Sequence, residues 1–286
     1  MRIVHIINPF HAPAGSEHAI AQDVTLASIR RAHAHAADAG LEVIPVGVAF
    51  EEDLDLITPP FVAARALKRS VIDVAEFETS KKFPLVADLV TLGAEAAGAA
   101  RDDDVLVYTN LDIALQPHFY ESVSALINPD SPAHVINRRT IPGHYTSPDQ
   151  LDAMLAEPGQ RHGGWDCFVF PRAFVGSLRL DGICIGAPYI GLAMLANLDA
   201  LSGFRLVEHK DLHLTFHIGD DATWRGRTDL SEHNRLRLRT ALNELRAQHG
   251  PVPARSFFER IDAELFERPR RDKTLAHRLR RLVGLG

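Results

Sequence analysis

Asn110 and Asp112 flank a single leucine at the end of the apolar run 105–107, which an acidic turn, Asp102-Asp103-Asp104, precedes. A short apolar run bounded in this way reads as a buried strand. Residues two apart on an extended backbone point the same way, so both side chains project from the strand's C-terminal end. A carboxylate beside a carboxamide is an all-oxygen donor set suited to Mg²⁺ or Mn²⁺ carrying a phosphate. The competing reading is an Asx turn that closes the strand, with Asp112 capping the helix after Pro117.

A second polar stretch runs from His213 to Trp224 and contains His217, Gly219, Asp220 and Asp221. In a strand His213 and His217 share a face, and a neutral imidazole is a competent ligand for a divalent metal. The two aspartates add acceptors, and Asp221 joins Asp166 as a candidate catalytic carboxylate. The chain holds 15 histidines, so any one of them taken alone says little. His213-x-x-x-His217 lacks the glutamate of a zincin motif, which argues against a metalloprotease. Gly164-Trp165-Asp166 is the third group. An indole face stacks on sugar C–H groups while a carboxylate accepts from hydroxyls, although a tryptophan in a turn also fills cores. Arg138 and Arg139 carry guanidinium forks that match phosphate, or else are exposed charges at a strand end.

The elements that must hold these groups alternate. Residues 3–7 form an apolar strand stopped by Asn8-Pro9. Ser16 opens a long helix through residue 37, with Gly40 placed to end it, and residues 41–48 form a second strand. Strand, helix, strand at this spacing is a βαβ unit and implies a parallel sheet. The spacing predicts further helices over 61–74, from Pro84 to about 100, over 117–126, 189–198 and 231–249. Strands are expected at 133–137, 167–170, 204–207 and 212–216. Gly163-Gly164 reads as the lead-in to its strand. The expected fold is α/β, with a single, mostly parallel central sheet and helices on both faces. Residues 1–250 are expected to form the main domain and 251–286 a helical, basic C-terminal extension. In that extension Leu275, Leu279, Leu282 and Val283 share one face among seven basic residues between 268 and 281, a pattern that suits packing on the body or an anionic membrane surface.

With 286 residues, 46% hydrophobic and 24% charged, the composition is that of an ordinary globular chain. A formal net charge of −6 gives nucleic-acid binding no electrostatic support. Two cysteines make no disulfide framework and fit a reducing compartment. The N-terminal apolar run is too short for a signal segment, and no run reaches the roughly 18 residues of a membrane span. A cytoplasmic location is expected, with the basic helix as a peripheral contact to the inner membrane face in the alternative. Neither GxGxxG, GxxxxGK[ST] nor GxSxG occurs, so dinucleotide, P-loop and nucleophile-elbow readings lose their main support.

Taken together, Tyr108-Thr109-Asn110-Leu111-Asp112-Ile113, followed by Leu115, Pro117, Phe119 and Tyr120, resembles the metal-binding segment of GT-A-fold glycosyltransferases, which use nucleotide-diphospho-sugars. Ile6-Ile7-Asn8-Pro9 is similar to that family's nucleotide-contacting loop, and the segment 164–170 to its acceptor side. His217 resembles the late histidine that completes metal coordination. The resemblance implies a GT-A, Rossmann-like sheet and a cation, Mg²⁺ or Mn²⁺, on Asn110, Asp112 and His217. It further implies a nucleotide-diphospho-sugar donor near Asn8, Pro9, Asn110, Arg139 and Trp165, and a saccharide or other hydroxyl acceptor. Asn110 stands where the usual triplet has its first aspartate. The stretch Gly186-Ala187-Pro188-Tyr189-Ile190-Gly191 carries no carboxylate where inverting members hold a base, which leaves the base unassigned and the stereochemical outcome open, with Asp166 as a candidate. The alternatives are a nucleotidyltransferase on a related sheet and a non-catalytic nucleotide-sugar-binding or scaffold protein.

Overall fold

The structure, a computed structural model, describes residues 1–77, 81–219 and 228–266. Hydrophobic side chains alternate along the central strands, so each strand feeds two cores at once. In β1 (Arg2–Ile7), Ile3 and Ile7 enter one core while Val4 and Ile6 enter the other. In β4 (Asp104–Thr109), Val105 and Val107 oppose Leu106 and Tyr108 in the same way. Helices must therefore cover both faces. α1 (Glu17–Asp38) and α3 (Phe119–Leu126) cover one, through Ile29, Ala32, Phe119 and Tyr120. The other is covered by α2 (Val86–Ala96), α5 (Ile190–Leu201), α6 (Thr228–His249) and α7 (Phe257–Phe266). α4 (Leu151–Ala156) packs in a smaller cluster beside Phe216.

Among the described residues nine strands form one sheet. The others are β2 (Glu42–Gly47), β3 (Val62–Ala63), β5 (Ala114–Leu115), β6 (His134–Ile141), β7 (Gln160–Pro171), β8 (Val207–His209) and β9 (Thr215–Ile218). Their order is β3-β2-β1-β4-β7-β6-β9-β5, with β8 beside the first half of β6. β1 pairs in parallel with β2 and β4, and β6 with β8 and β9. β7 runs antiparallel between β4 and β6, and β5 antiparallel to β9. The expected mostly parallel sheet with helices on both faces is the one observed.

Several local expectations are corrected. Residues 61–74 are not a helix: Ala64 and Leu67 donate to the carbonyls of Gly47 and Ala49, so the chain continues beside β2. Gly163 and Gly164 lie inside β7, a strand of 12 residues paired on both sides. β4 ends at Thr109, and 110–112 form a turn closed by the Ile113 N–H on the Asn110 carbonyl. His213 precedes β9 at φ +49°, so it does not share a strand face with His217. Asp112 caps no helix, since α3 begins after His118. α7 seats on α5, where its Phe258 N–H donates to Asp199 Oδ2 at 2.9 Å. No described helix is long and apolar enough to cross a membrane. The basic stretch 268–286 lies outside the described residues.

Candidate active site

The C-terminal ends of β1 and β4 open onto a cavity of about 490 Å³. Asn8, Phe10 and His18 line one side, Asn110 and Asp112 the floor, and Gly164, Trp165 and Asp166 the far side; residues 185–192 close the wall. The crevice beyond the strand ends of an open α/β sheet is where ligands bind. The loop after β1 is pinned: the Phe10 N–H donates to Gln22 Oε1 (3.1 Å), the His11 N–H to Asp53 Oδ1 (2.7 Å), and Ser16 caps α1. Asn8, 8% exposed, donates to the Val48 carbonyl at 2.6 Å. Pro9 is buried beside it and does not line the cavity.

Strand register brings Asp166 to Asn110. Thr109 pairs with Cys167, so the next residues on each strand are neighbours. Asn110 Nδ2 donates to Asp166 Oδ1 at 3.1 Å, and the Asn110 N–H donates to the Asp166 carbonyl at 3.3 Å. On the other side the β6–β7 ladder slips: Ile136 faces Cys167 and Asn137 faces Trp165, which leaves Asp166 as the extra residue of a bulge. A second slip follows between Asn137 and Arg139. Bulges re-aim side chains. Here they set Arg138 Nη1 on Asp166 Oδ2 at 2.7 Å. Arg139 is not brought to the cavity; its guanidinium binds the carbonyls of Pro158 and Gly159.

Asp112 and His217 meet through the short β5–β9 pair, in which Ala114 faces Phe216. His217 Nε2 stands 3.4 Å from Asp112 Oδ2. The other ring nitrogen, Nδ1, lies 2.8 Å from the Gly219 carbonyl, and Gly219 at φ +67° turns that carbonyl back. An Nδ1–H held on a carbonyl orients a histidine ring for ligation through Nε2. Asp112 Oδ1 is buried and finds no hydrogen-bond partner among the described residues. An acceptor oxygen without a donor, beside an oriented imidazole, fits a divalent cation. Among the described residues no three His, Cys, Asp or Glu side chains converge to hold a metal. A third ligand would be Asn110, whose oxygen alone remains for it once its nitrogen is committed to Asp166.

The electrostatics follow from this packing. Burial and the charge of Asp112 push the Asp166 carboxyl above its usual range, against the pull of Arg138. Burial also acts on Asp112, but the hydrogen bond and charge of His217, with Arg138, outweigh it and hold that carboxyl low. His217 is raised: desolvation opposes its charge, and Asp112 prevails. Trp165 is fixed by its indole N–H on Glu208 Oε1 at 2.8 Å. Gly191 lies so close that a Cβ there would come 3.2 Å from the Trp165 carbonyl.

The structure thus gathers Asn8, Asn110, Asp112, Trp165 and Asp166 at one cavity, with His217 behind Asp112. Asp221 lies outside the described residues. Arg138, Phe10 and His18 are the further site neighbours. Arg138 was legible only as half of an arginine pair; Phe10 and His18 carried no signal beyond their nearness to Asn8.

No family model and no curated protein sequence matches the chain. Solved structures overlap it partially. The catalytic domain of Drosophila β1,4-galactosyltransferase 7, solved with xylobiose, overlaps at TM-score 0.40 and 11% identity, covering 79% of this chain and 74% of that one. The galactosyltransferase LgtC, with donor and acceptor sugar analogs, overlaps at 0.40 and 10%, covering 89% and 98%. The 2-C-methyl-D-erythritol 4-phosphate cytidylyltransferase of Francisella tularensis overlaps at 0.40 and 11%, covering 83% and 100%. Two of these are galactosyltransferases and one a cytidylyltransferase, and the activities named are those proteins' own.

Proposed function

We propose that the chain is a metal-dependent glycosyltransferase that moves a sugar from a nucleotide-diphospho-sugar to a hydroxyl acceptor. One observation carries this reading: the Asp112 carboxylate, one oxygen unpartnered and the other facing the oriented imidazole of His217, sits on the floor of the cavity. The described lining holds two carboxylates and no lysine or arginine. An anionic diphosphate is repelled from such a lining unless it enters with a cation. A divalent cation supplies charge stabilisation to the leaving diphosphate. Asp112, His217 and Asn110 would hold it. Asn8 would contact the nucleotide, and Trp165 would offer its face to a sugar ring. Asp166, largely enclosed beside Arg138 and raised in pKa, would take the proton of the attacking hydroxyl. In the same reading residues 1–250 form the catalytic unit and 251–286 an extension. A nucleotidyltransferase would need lysine or arginine for a triphosphate, and the described lining offers neither.

Calorimetric titration with UDP, GDP and their sugars, with and without Mn²⁺, tests the proposal. Metal-dependent binding of at least one is the expected result. Absence of any such binding overturns it.

A further inference from the structure

The cavity wall 184–191 is shaped by a residue that does not line it. Tyr189 adopts φ +79° immediately before α5, a conformation that a bulky residue keeps only where its surroundings enforce it. The Tyr189 carbonyl must also start the helix, accepting from the Ala193 N–H at 2.9 Å. Among the described residues no side chain caps this helix. A side chain on α6 holds the residues just before Tyr189. Asn234 is fully buried, and its carboxamide is spent entirely on the loop before Tyr189. Its Oδ1 accepts from the Cys184 N–H at 3.0 Å, and its Nδ2 donates to the carbonyls of Cys184 (2.9 Å) and Pro188 (3.0 Å).

An amide has two donor hydrogens and one acceptor oxygen, and all three functions are used here. The clamp therefore ties both ends of the five-residue loop to one side chain. On the loop's other edge the Ile185 N–H donates to the Pro84 carbonyl at 3.0 Å. The Ile183 carbonyl accepts from the Val86 N–H at 2.8 Å. Those bonds hold the start of the loop. The Pro188 end, where the strained residue follows, depends on Asn234. The wall so held presents Ile185, Ala187, Pro188, Tyr189 and Ile190 to the cavity and abuts Trp165 through Gly191.

We propose that Asn234 is a positioning residue: by clamping Cys184 and Pro188 it sets the wall against which the substrate of this cavity is oriented. The inference rests on the glycosyltransferase reading for what that substrate is. Its physical content, the clamp, does not. Aspartate at 234 keeps the shape, loses both donors and sets a carboxylate against two carbonyls. Alanine removes the clamp without adding charge. His233, next on the same helix, bonds the Gly182 carbonyl at 2.7 Å outside the cavity, and His233→Ala serves as the control for lost stability alone.

The experiment measures hydrogen–deuterium exchange and donor turnover on the full chain carrying Asn234→Asp, Asn234→Ala or His233→Ala. UDP-glucose, UDP-galactose and GDP-mannose, each with Mn²⁺, are the probes. In both Asn234 variants, exchange of the amides at 184–189 should rise at least 10-fold, while that of 195–200 in α5 is unchanged. Hydrolysis of the donor that wild type turns over should fall at least 10-fold, with affinity for its nucleoside diphosphate within twofold. His233→Ala should do neither. Unchanged exchange at 184–189 in both variants overturns the clamp. Faster exchange with unaltered turnover overturns the positioning role. If wild type neither turns over the probes nor binds UDP or GDP with Mn²⁺, the glycosyltransferase reading fails, and the exchange result alone decides whether Asn234 holds the wall.

Discussion

Arg138 and Asp166 meet at 2.7 Å on adjacent antiparallel strands, at the point where the ladder between them slips, with side chains only 10% and 13% exposed. A pair this enclosed is asymmetric in its energetics: removing one partner strands the other charge in a poorly solvated place. Arg138→Met should therefore destabilise the fold by about 3 kcal/mol. Asp166→Asn alone should cost less, because the amide keeps one oxygen that accepts from Arg138 and gives up only the acceptor for Asn110. The double variant should recover at least half of the loss, which denaturant midpoints in a double-mutant cycle would read. A cost below about 1 kcal/mol for Arg138→Met would mean that water reaches Asp166 freely.

Asp112→Asn tests the cation site with little change in shape. The amide keeps an oxygen but brings no charge and adds a donor toward His217 Nε2. Mn²⁺-dependent affinity for a nucleoside diphosphate should fall at least about 100-fold, as should that of His217→Ala, since first ligands matter at least as much as their outer partners. Asp112→Asn should cost the fold only modestly, because it loses the attraction of His217 and Arg138 but also removes a like charge near Asp166. Titration calorimetry gives the affinity and thermal unfolding the cost; equal affinity in variant and wild type would place the cation elsewhere.

Much of the first half was legible because local signals agree there. Ser16 caps α1 and β1 is wholly apolar apart from Arg2 and His5, so propensity, pattern and packing point the same way. Residues 61–74 show the opposite. Ala63-Ala64-Arg65-Ala66-Leu67-Lys68 is a good helix former, yet the edge of β2 offers backbone partners that a helix would forgo. The aspartate of Asn110-Leu111-Asp112 was legible as a cavity residue, but the extended geometry invoked for it was not the one used: a turn, rather than a strand face, brings both side chains to the floor. Which of two adjacent arginines turns inward was beyond reach, since that choice is made by ladder slips opposite β7. Asn234 left no local trace at all, being one polar residue on a 22-residue helix whose partners lie about 50 positions away.

Acid should expose a second buried group. His5 is sealed between Tyr120 OH (2.8 Å from Nδ1) and Thr109 Oγ1 (2.9 Å from Nε2), and burial lowers its pKa to about 3. The folded chain keeps His5 neutral where the unfolded chain protonates it below about 6.5. Its contribution is thus complete above pH 6.5 and is lost as pH falls toward 3, at about 1.4 kcal/mol per pH unit. Asp104 acts lower on the scale. Burial raises its carboxyl, but the bonds from Arg2 and Arg172 bring it down to about 2, so its share is lost only below about pH 4. Between pH 6.5 and 4 wild type should lose about 3 kcal/mol, and His5→Gln should flatten that slope while keeping groups that hydrogen-bond. Urea midpoints across this range check it; equal slopes would mean that His5 takes its proton in the folded state.

Trp165 joins the two halves of the site, and its role can be separated from that of the floor. Its indole N–H is held by Glu208, which Lys210 also contacts at 3.1 Å, so the ring is fixed from the side away from the cavity. Trp165→Phe keeps an aromatic face but releases that anchor. Stacking of a ring on a sugar or apolar face contributes about 0.5–1.5 kcal/mol, a factor of about 2 to 10 in affinity. The phenylalanine variant should therefore raise the KM for the acceptor, or for the sugar part of the donor, within that range, and leave the Mn²⁺-dependent affinity for the bare nucleoside diphosphate unchanged. Glu208→Gln, which still accepts from the indole, should behave like wild type, whereas Glu208→Ala should match Trp165→Phe. Loss of diphosphate affinity in Trp165→Phe would instead place the indole at the nucleotide, because only a ring touching that group can change its binding without disturbing Asp112 or His217.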